Sequence, residues 1–299
     1  MSAAAIVLPG GFWLDGVHHR EAELRPLSGE DEAFLLEAGG ALTPARRTTA
    51  LLARCLTRLG PSPPVSPVSP VPAAAVSALP LGDREALLLH LRRLTLGERL
   101  ECVLRCAAPE CGEPMELDLA VSDLLVPAAA SPQPWYDEVF QHGAAPWRVR
   151  FRLPTGQDQE LAADLVQEGA VLGAERAADL LLARCVASAV PEGHETPGEE
   201  LPAAVAEAVA ERMSALDPQA EVLLRLACPA CGRETATLFD AAAWLYQEIA
   251  GRAAELYREV HLLAFHYHWR EADILAMTGR KRRLYLGFLA EALGWERES

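Results

Sequence analysis

Two short cysteine turns, Cys106-Ala-Ala-Pro-Glu-Cys111-Gly112 and Cys228-Pro-Ala-Cys231-Gly232, stand far apart in a chain of 299 residues. Each follows an apolar, β-like run, holds a proline inside the turn and has glycine directly after its second cysteine. The glycine permits a tight turn that aims backbone N–H groups at thiolate sulfurs, and the proline stiffens it. Four thiolates from two such turns surround a zinc ion tetrahedrally, so Cys106, Cys111, Cys228 and Cys231 are the candidate ligands of a structural Zn2+. A four-thiolate shell leaves no open position for water, which points to structure and not to catalysis. The same letters also fit two buried disulfides, unpaired core cysteines or, for Cys228 and Cys231, a thioredoxin-type redox pair that needs a βαβ context.

The flanks of the two turns match. Leu100, Cys102, Leu104 and Cys106 share one strand face, as do Val222, Leu224, Leu226 and Cys228, so the chain carries a repeated half-site. Cys102 lies four strand residues from Cys106, about 13 Å away, too far to share an ion. It reads as a core thiol, as do Cys55 and Cys185 in their apolar, helix-like surroundings.

Composition restricts the partners. The formal charge is −15, and Lys281 is the only lysine among 27 basic residues. Such a balance disfavours a dispersed grip on phosphate backbones. No run of about 18–20 apolar residues suits a membrane helix. The first residues lack a basic n-region and run into Pro9-Gly10-Gly11, a poor signal peptide, so a reducing cytoplasmic setting is expected.

Periodicity gives a fold expectation that is mainly α with a small β element: a zinc-ribbon-like pair of cysteine turns, a helical insertion between them and a C-terminal helical tail. Residues 1–60 read as an α/β unit with a strand at 4–8 and helices at 32–38 and 44–59. Residues 61–81, with seven prolines, read as an extended linker or loop. Residues 82–127 hold a helix over 83–94, with Asp83 as its N-cap and Gly97 as its stop, followed by the first cysteine turn. Residues 128–220 read as an acidic helical insertion, with helices near 159–167, 174–189 and 202–215 and a loop over 191–200. Between 155 and 220 thirteen acids face only Arg176, Arg184 and Arg212. Residues 221–299 hold a strand at 222–227, the second cysteine turn, a long helix over 240–265, a short one over 272–277 and a last helix over 280–293.

The tail mixes aromatics and bases, and residues 251–299 are +1 overall. Tyr267, Trp269, Arg282 and Arg283 are candidate partner contacts, since aromatics and arginine are common interface anchors; a local core role fits the same residues. His261, His266 and His268 lack the carboxylate of a His-Glu-x-x-His pattern and read as packed helix-end histidines. A helix-turn-helix reader is the rival, although Leu284, Leu286, Phe288, Leu289 and Leu293 give the last helix a packing character. No nucleophile elbow, Walker loop or dinucleotide fingerprint is present.

Leu8-Pro-Gly-Gly11, the segment from Leu24 to Glu32, Gly82-Asp-Arg-Glu85, Leu91-Arg-Arg-Leu-Thr95 with Gly97, and Cys228-Pro-Ala-Cys-Gly232 form one set of motifs. The tail Tyr267-His-Trp269, Asp273-Ile-Leu-Ala-Met277, Arg282-Arg283 and Tyr285-Leu286 completes it. Together they resemble the T4-like phage baseplate hub assembly family, as found in bacterial contractile injection system clusters. The resemblance covers about two thirds of the chain, leaving out the proline-rich run and roughly residues 186–210. It implies a non-enzymatic assembly factor or component of a contractile-tail baseplate hub, with tail or baseplate proteins as partners. Two departures stand out: Arg270 occupies a position where a capping serine is expected, and the first turn is Cys-x4-Cys where Cys-x2-Cys is expected. The function class that competes with this reading is a zinc-ribbon nucleic-acid-binding regulator using the basic tail. An oxidoreductase using Cys228 and Cys231 is a third.

Overall fold

The order of secondary elements repeats along the chain. In the computed structural model, which describes residues 3–37, 39–61, 71–127, 131–142, 146–168, 173–191 and 201–294, the first half opens with strands β1 (Ala4–Leu14) and β2 (Val17–Leu24). Helices α1 (Gly29–Glu37) and α2 (Pro44–Cys55) follow, and β3 (Leu56–Leu59) pairs back onto β2. Helices α3 (Ala73–Ser77) and α4 (Leu81–Leu96), the hairpin β4 (Arg99–Arg105)/β5 (Pro114–Ala120) and α5 (Val121–Leu124) complete this half. The second half runs the same way: β6 (Tyr136–Phe140), β7 (Trp147–Phe151), α6 (Gly156–Glu168), α7 (Gly173–Cys185) and β8 (Val186–Pro191). Then come α8 (Ala203–Leu216), the hairpin β9 (Val222–Ala227)/β10 (Glu234–Phe239) and α9 (Ala241–Gly251). Helices α10 (Ala253–Tyr267), α11 (Glu271–Leu275) and α12 (Gly279–Leu293) form the tail.

The mainly α expectation is corrected. The described residues form four antiparallel sheets, two of three strands and two of two, and are about 51% helix and 26% strand, a mixed α/β fold. The expected helical insertion contains the sheet β6-β7-β8. Its middle strand, Trp147-Arg-Val-Arg-Phe151, alternates strictly between buried and exposed positions, the period-two signature of a half-buried strand. One further difference recurs at the same point of each half. Helices expected to reach residues 59 and 189 stop at Cys55 and Cys185, and the next residues become the third strand of a sheet. At Leu56 the backbone turns straight from helical to extended without a breaker, so local sequence carries no stop signal there.

Smaller differences have local causes. β1 passes through Pro9-Gly10-Gly11 as a bulge: Gly11 has φ +78°, and a Cβ there would meet the His19 carbonyl at 2.5 Å. Asp83 does not cap α4; Pro80 occupies the cap, and buried Asp83 accepts a 2.8 Å hydrogen bond from the Gly10 N–H of β1. The helix over 240–265 is two helices, α9 and α10, broken at Arg252 after Gly251. Ala73–Ser77 forms a short helix inside the proline-rich run. Residues 62–70 of that run and residues 192–200 lie outside the described residues.

A buried carboxylate organises each half. Asp31 has no exposed surface and accepts hydrogen bonds from the Ser28 N–H and hydroxyl, from Arg25 at 2.5 Å and from Arg54 Nε at 2.9 Å. Asp158 repeats this with Thr155 N–H and hydroxyl, Arg152 at 2.6 Å and Arg184 Nε at 2.7 Å. The Arg25 and Arg152 N–H groups each donate at 3.0 Å to the carbonyl of Cys55 or Cys185, at the end of the second helix. One knot thus fixes the strand end, the start of one helix and the end of the next. Its sequence is Arg-x-x-Ser/Thr-Gly-x-Asp followed by Leu-Leu-Ala-Arg-Cys, at residues 25–31 with 51–55 and at 152–158 with 181–185.

The two knots are keyed by arginines from elsewhere. Gly156 lies against buried Arg84 of α4, so closely that a Cβ would sit 2.3 Å from its Nη1; Gly29 lies against buried Arg282 of α12 at 2.7 Å on the same test. Backbone bonds seal both crossings, Gly156 N–H to Leu79 O and Gly29 N–H to Met277 O, each 3.0 Å.

Burial raises the pKa of Asp31, but the bonds from Arg25 and Ser28 outweigh it and hold the carboxyl below its ordinary value; Asp158 is lowered in the same way by Arg152, Thr155 and Arg184. The stabilisation is therefore complete above the ordinary carboxylate pKa of about 4 and is lost as pH falls through the lower folded-state values. Asp31→Asn is expected to cost about 3 kcal/mol at pH 7. Urea denaturation repeated at pH 7 and pH 3 checks this: the gap between wild type and variant narrows in acid.

Candidate functional site

β4 and β9 each deliver a cysteine at the strand end, and β5 and β10 carry the chain away. The closing bonds are the same in both turns: Cys106 N–H to Glu113 O and Cys228 N–H to Arg233 O, each 2.9 Å. The two extra residues of the first turn are accommodated inside this frame. Gly112 and Gly232 have φ of +62° and +72°, the left-handed region where glycine is unstrained, so the glycine after each pair has a conformational reason.

The turns meet tip to tip. The four sulfurs of Cys106, Cys111, Cys228 and Cys231 all lie within 4.8 Å of one another. Cys106 and Cys231 are 3.7 Å apart, and Cys111 and Cys228 are 3.8 Å apart. A metal–sulfur distance of about 2.3 Å in a tetrahedron requires an edge of about 3.8 Å, so the donor set fits a zinc-sized ion. The near equality of the two distances is what an approximate two-fold axis through the centre demands, because each contact joins the first cysteine of one turn to the second of the other. Cys106 and Cys228 are buried against Ala108 and Met115, with Leu104 and Leu226 beside them, while Cys231 is exposed.

The sulfurs do not share one acidity. The N–H groups of Cys231 and Ala230 help pull the Cys228 thiol down to about 7. At Cys111 a bond from the Glu113 backbone favours the thiolate, but desolvation and the neighbouring sulfurs push the thiol up to about 12. Four close anions repel one another, and a divalent cation offsets that repulsion. Cys102, Cys55 and Cys185 are buried away from this group, Cys55 and Cys185 at the ends of the knotted helices.

The candidate contacts of the tail separate into two kinds. Tyr267 and Trp269 stack at 4.7 Å, Tyr285 meets Trp269 edge-on at 4.9 Å, and all three are half-buried. Arg282 is 1% exposed and bonded to Glu259 at 2.7 Å, Glu32 at 3.1 Å and the Met277 carbonyl at 2.9 Å. Its side chain is the key in the first knot and offers nothing to a partner. Arg283 is half-exposed at the edge of the same acidic pair. Arg270 caps α11 without a side-chain cap bond and pairs instead with Asp273 at 2.8 Å. His261 stacks on Phe265, and His268 takes the left-handed position at the end of α10; among the described residues no metal-ligand group includes either.

A family model described as T4 bacteriophage base plate protein matches residues 21–244. The chain belongs to this family. The match runs from within β2 to the start of α9, takes in both cysteine turns, and ends before the tail helices α10, α11 and α12. No curated protein and no solved structure gives a significant match. Among the described residues, no helix is long and apolar enough to cross a membrane.

The knot residues Asp31, Asp158, Arg84 and Gly156 are absent from the sequence-based site. A signal existed: the pentapeptide Leu-Leu-Ala-Arg-Cys occurs twice, each time after an Arg-x-x-Ser/Thr-Gly-x-Asp. Arg282→Met removes the buried partner of Glu32 and Glu259, leaving only Arg283 at 4.0 Å from Glu259, and is expected to cost about 3–5 kcal/mol. Arg283→Ala next to it is expected to stay within about 0.5 kcal/mol. Chemical denaturation of the two variants separates an internal key from a surface contact, and equal effects refute the assignment.

Proposed function

We propose that this chain is a non-enzymatic component or assembly factor of a contractile-tail baseplate hub, its two halves stapled by a Zn2+ ion on Cys106, Cys111, Cys228 and Cys231. The convergence of four sulfurs from the two repeats at tetrahedral spacing carries the metal part of this reading. Membership of the baseplate family supports the assembly part. A bound zinc supplies charge compensation and a rigid cross-link, and the protein supplies the two turns that present thiolates. The partners are tail or baseplate proteins of a contractile injection system, met in the cytoplasm where particles are built. Tyr267, Trp269 and Arg283 are the proposed contacts, and Arg282 is withdrawn from that set because its bonds are internal. The loss of Arg282 to the interior also thins the basic patch on which nucleic-acid binding would rest.

Metal analysis of the purified chain is expected to give about one zinc per molecule. Cys228→Ser with Cys231→Ser is expected to abolish binding and lower the thermal midpoint steeply, because both hairpin tips lose their cross-link. A metal-free protein with an unchanged melting curve overturns the staple. The assembly role is tested separately, by tagging the chain in cells that express the whole tail cluster. Tube, spike or baseplate subunits should co-purify, and their repeated absence overturns it.

A further inference from the structure

Helix α12 has its charges the wrong way round. A helix dipole, positive at its N-terminus and negative at its C-terminus, favours acidic residues in the first turn and basic residues in the last. The first turn of α12 has no acid and its last turn has no base. Exposed Arg280, Lys281 and Arg283 stand at the start, and exposed Glu291 stands near the end. Between them lies an apolar stripe on the solvent side: Leu284 is 55% exposed and Phe288 52%. The opposite side of the helix is spent inside the molecule, with Arg282 in the knot and Leu289 buried.

Positions 281, 284, 288 and 291 follow the spacing of one helix face. They are also symmetric about residue 286. Turned end for end, the face presents Glu291 where Lys281 stood, and Phe288 where Leu284 stood.

From this we infer that α12 is the contact surface for a second copy of this chain, packed antiparallel about a two-fold axis at residue 286. Lys281 of each copy then faces Glu291 of the other, and Leu284 packs on Phe288. The arrangement is isologous and closed, the commonest symmetry of soluble homo-oligomers. It also explains the inverted charge, because each copy brings an acid to the positive dipole end of its mate and a base to the negative end. One helix face is a small interface, so the association is weak and concentration-dependent. Neither the zinc staple nor Tyr267 and Trp269 takes part in this reading.

Sedimentation velocity of the full chain over a concentration series tests it. Wild type is expected to show a reversible monomer–dimer equilibrium. Phe288→Glu places a carboxylate in the centre of the stripe and should lower the association constant by about tenfold or more. Lys281→Glu should weaken it by about fivefold or more, and the double exchange Lys281→Glu/Glu291→Lys should restore it to within about twofold of wild type. All these positions are exposed, and circular dichroism verifies that each variant is folded. Wild type that stays monomeric at its highest soluble concentration overturns the proposal. So does a Phe288→Glu variant that dimerises as well as wild type, or a double exchange that stays as weak as Lys281→Glu.

Discussion

A carboxylate removed from water must be met by enough donors to replace its hydration, and in this molecule that demand is made twice. Asp31 and Asp158 each take two hydrogen bonds from a Ser or Thr and charged bonds from two arginines. Those donors come from the strand end, the helix start and the end of the next helix, so satisfying one side chain fixes the mutual placement of three elements. The price of losing any donor is a buried charge without compensation, and this makes the arrangement all-or-none. The three-stranded sheets follow from it, because a second helix pinned at Cys55 or Cys185 releases its chain directly beside the open edge of the hairpin.

The halves are similar without being equivalent. In the first, α4 has two jobs: its body packs on β1, and its Arg84 reaches the knot of the second half. In the second half, α8 covers the sheet with Val205, Val209 and Met213. Its residue equivalent to Arg84, at the spacing that relates Cys106 to Cys228, is Ala206. The key to the first knot comes from the tail, where Ile274, Met277, Thr278 and Arg282 repeat the spacing of Val76, Leu79, Pro80 and Arg84. The tail helix is in this sense a third copy of the key, separated from the body of a half. Among the described residues its body leaves one face open to solvent, which is where Leu284 and Phe288 lie.

The cysteine centre belongs to the same pattern. Each half contributes one hairpin, and the keys join contacts such as Arg46–Asp164 and Gly82–Asp217 in holding the halves together. Charge is distributed accordingly. Thirteen acids lie between residues 155 and 220, while the basic cluster sits at the start of α12. The acidic side chains that matter for folding are buried ones: Asp31, Asp158, Glu32 and Glu259 meet arginines, while Asp83 and Asp217 accept from the N–H groups of Gly10 and Gly82.

Sequence by itself determined the four clustered cysteines, the strands beside them and the glycines behind them, because turn chemistry and period-two alternation are local properties of a few adjacent residues. It also carried the family, through motifs spread over both halves. It determined the end of the last helix at Gly294, where a left-handed residue stops the ladder. Only the tertiary structure decided that α2 and α7 give way to strands at Leu56 and Val186, since the reason is a sheet edge formed by residues far away in the chain. It decided as well that Arg282 points inward and Arg283 outward. Neighbours of the same type are indistinguishable in sequence; what separates them is the pair of buried carboxylates, Glu32 and Glu259, that folding brings to one side of the helix.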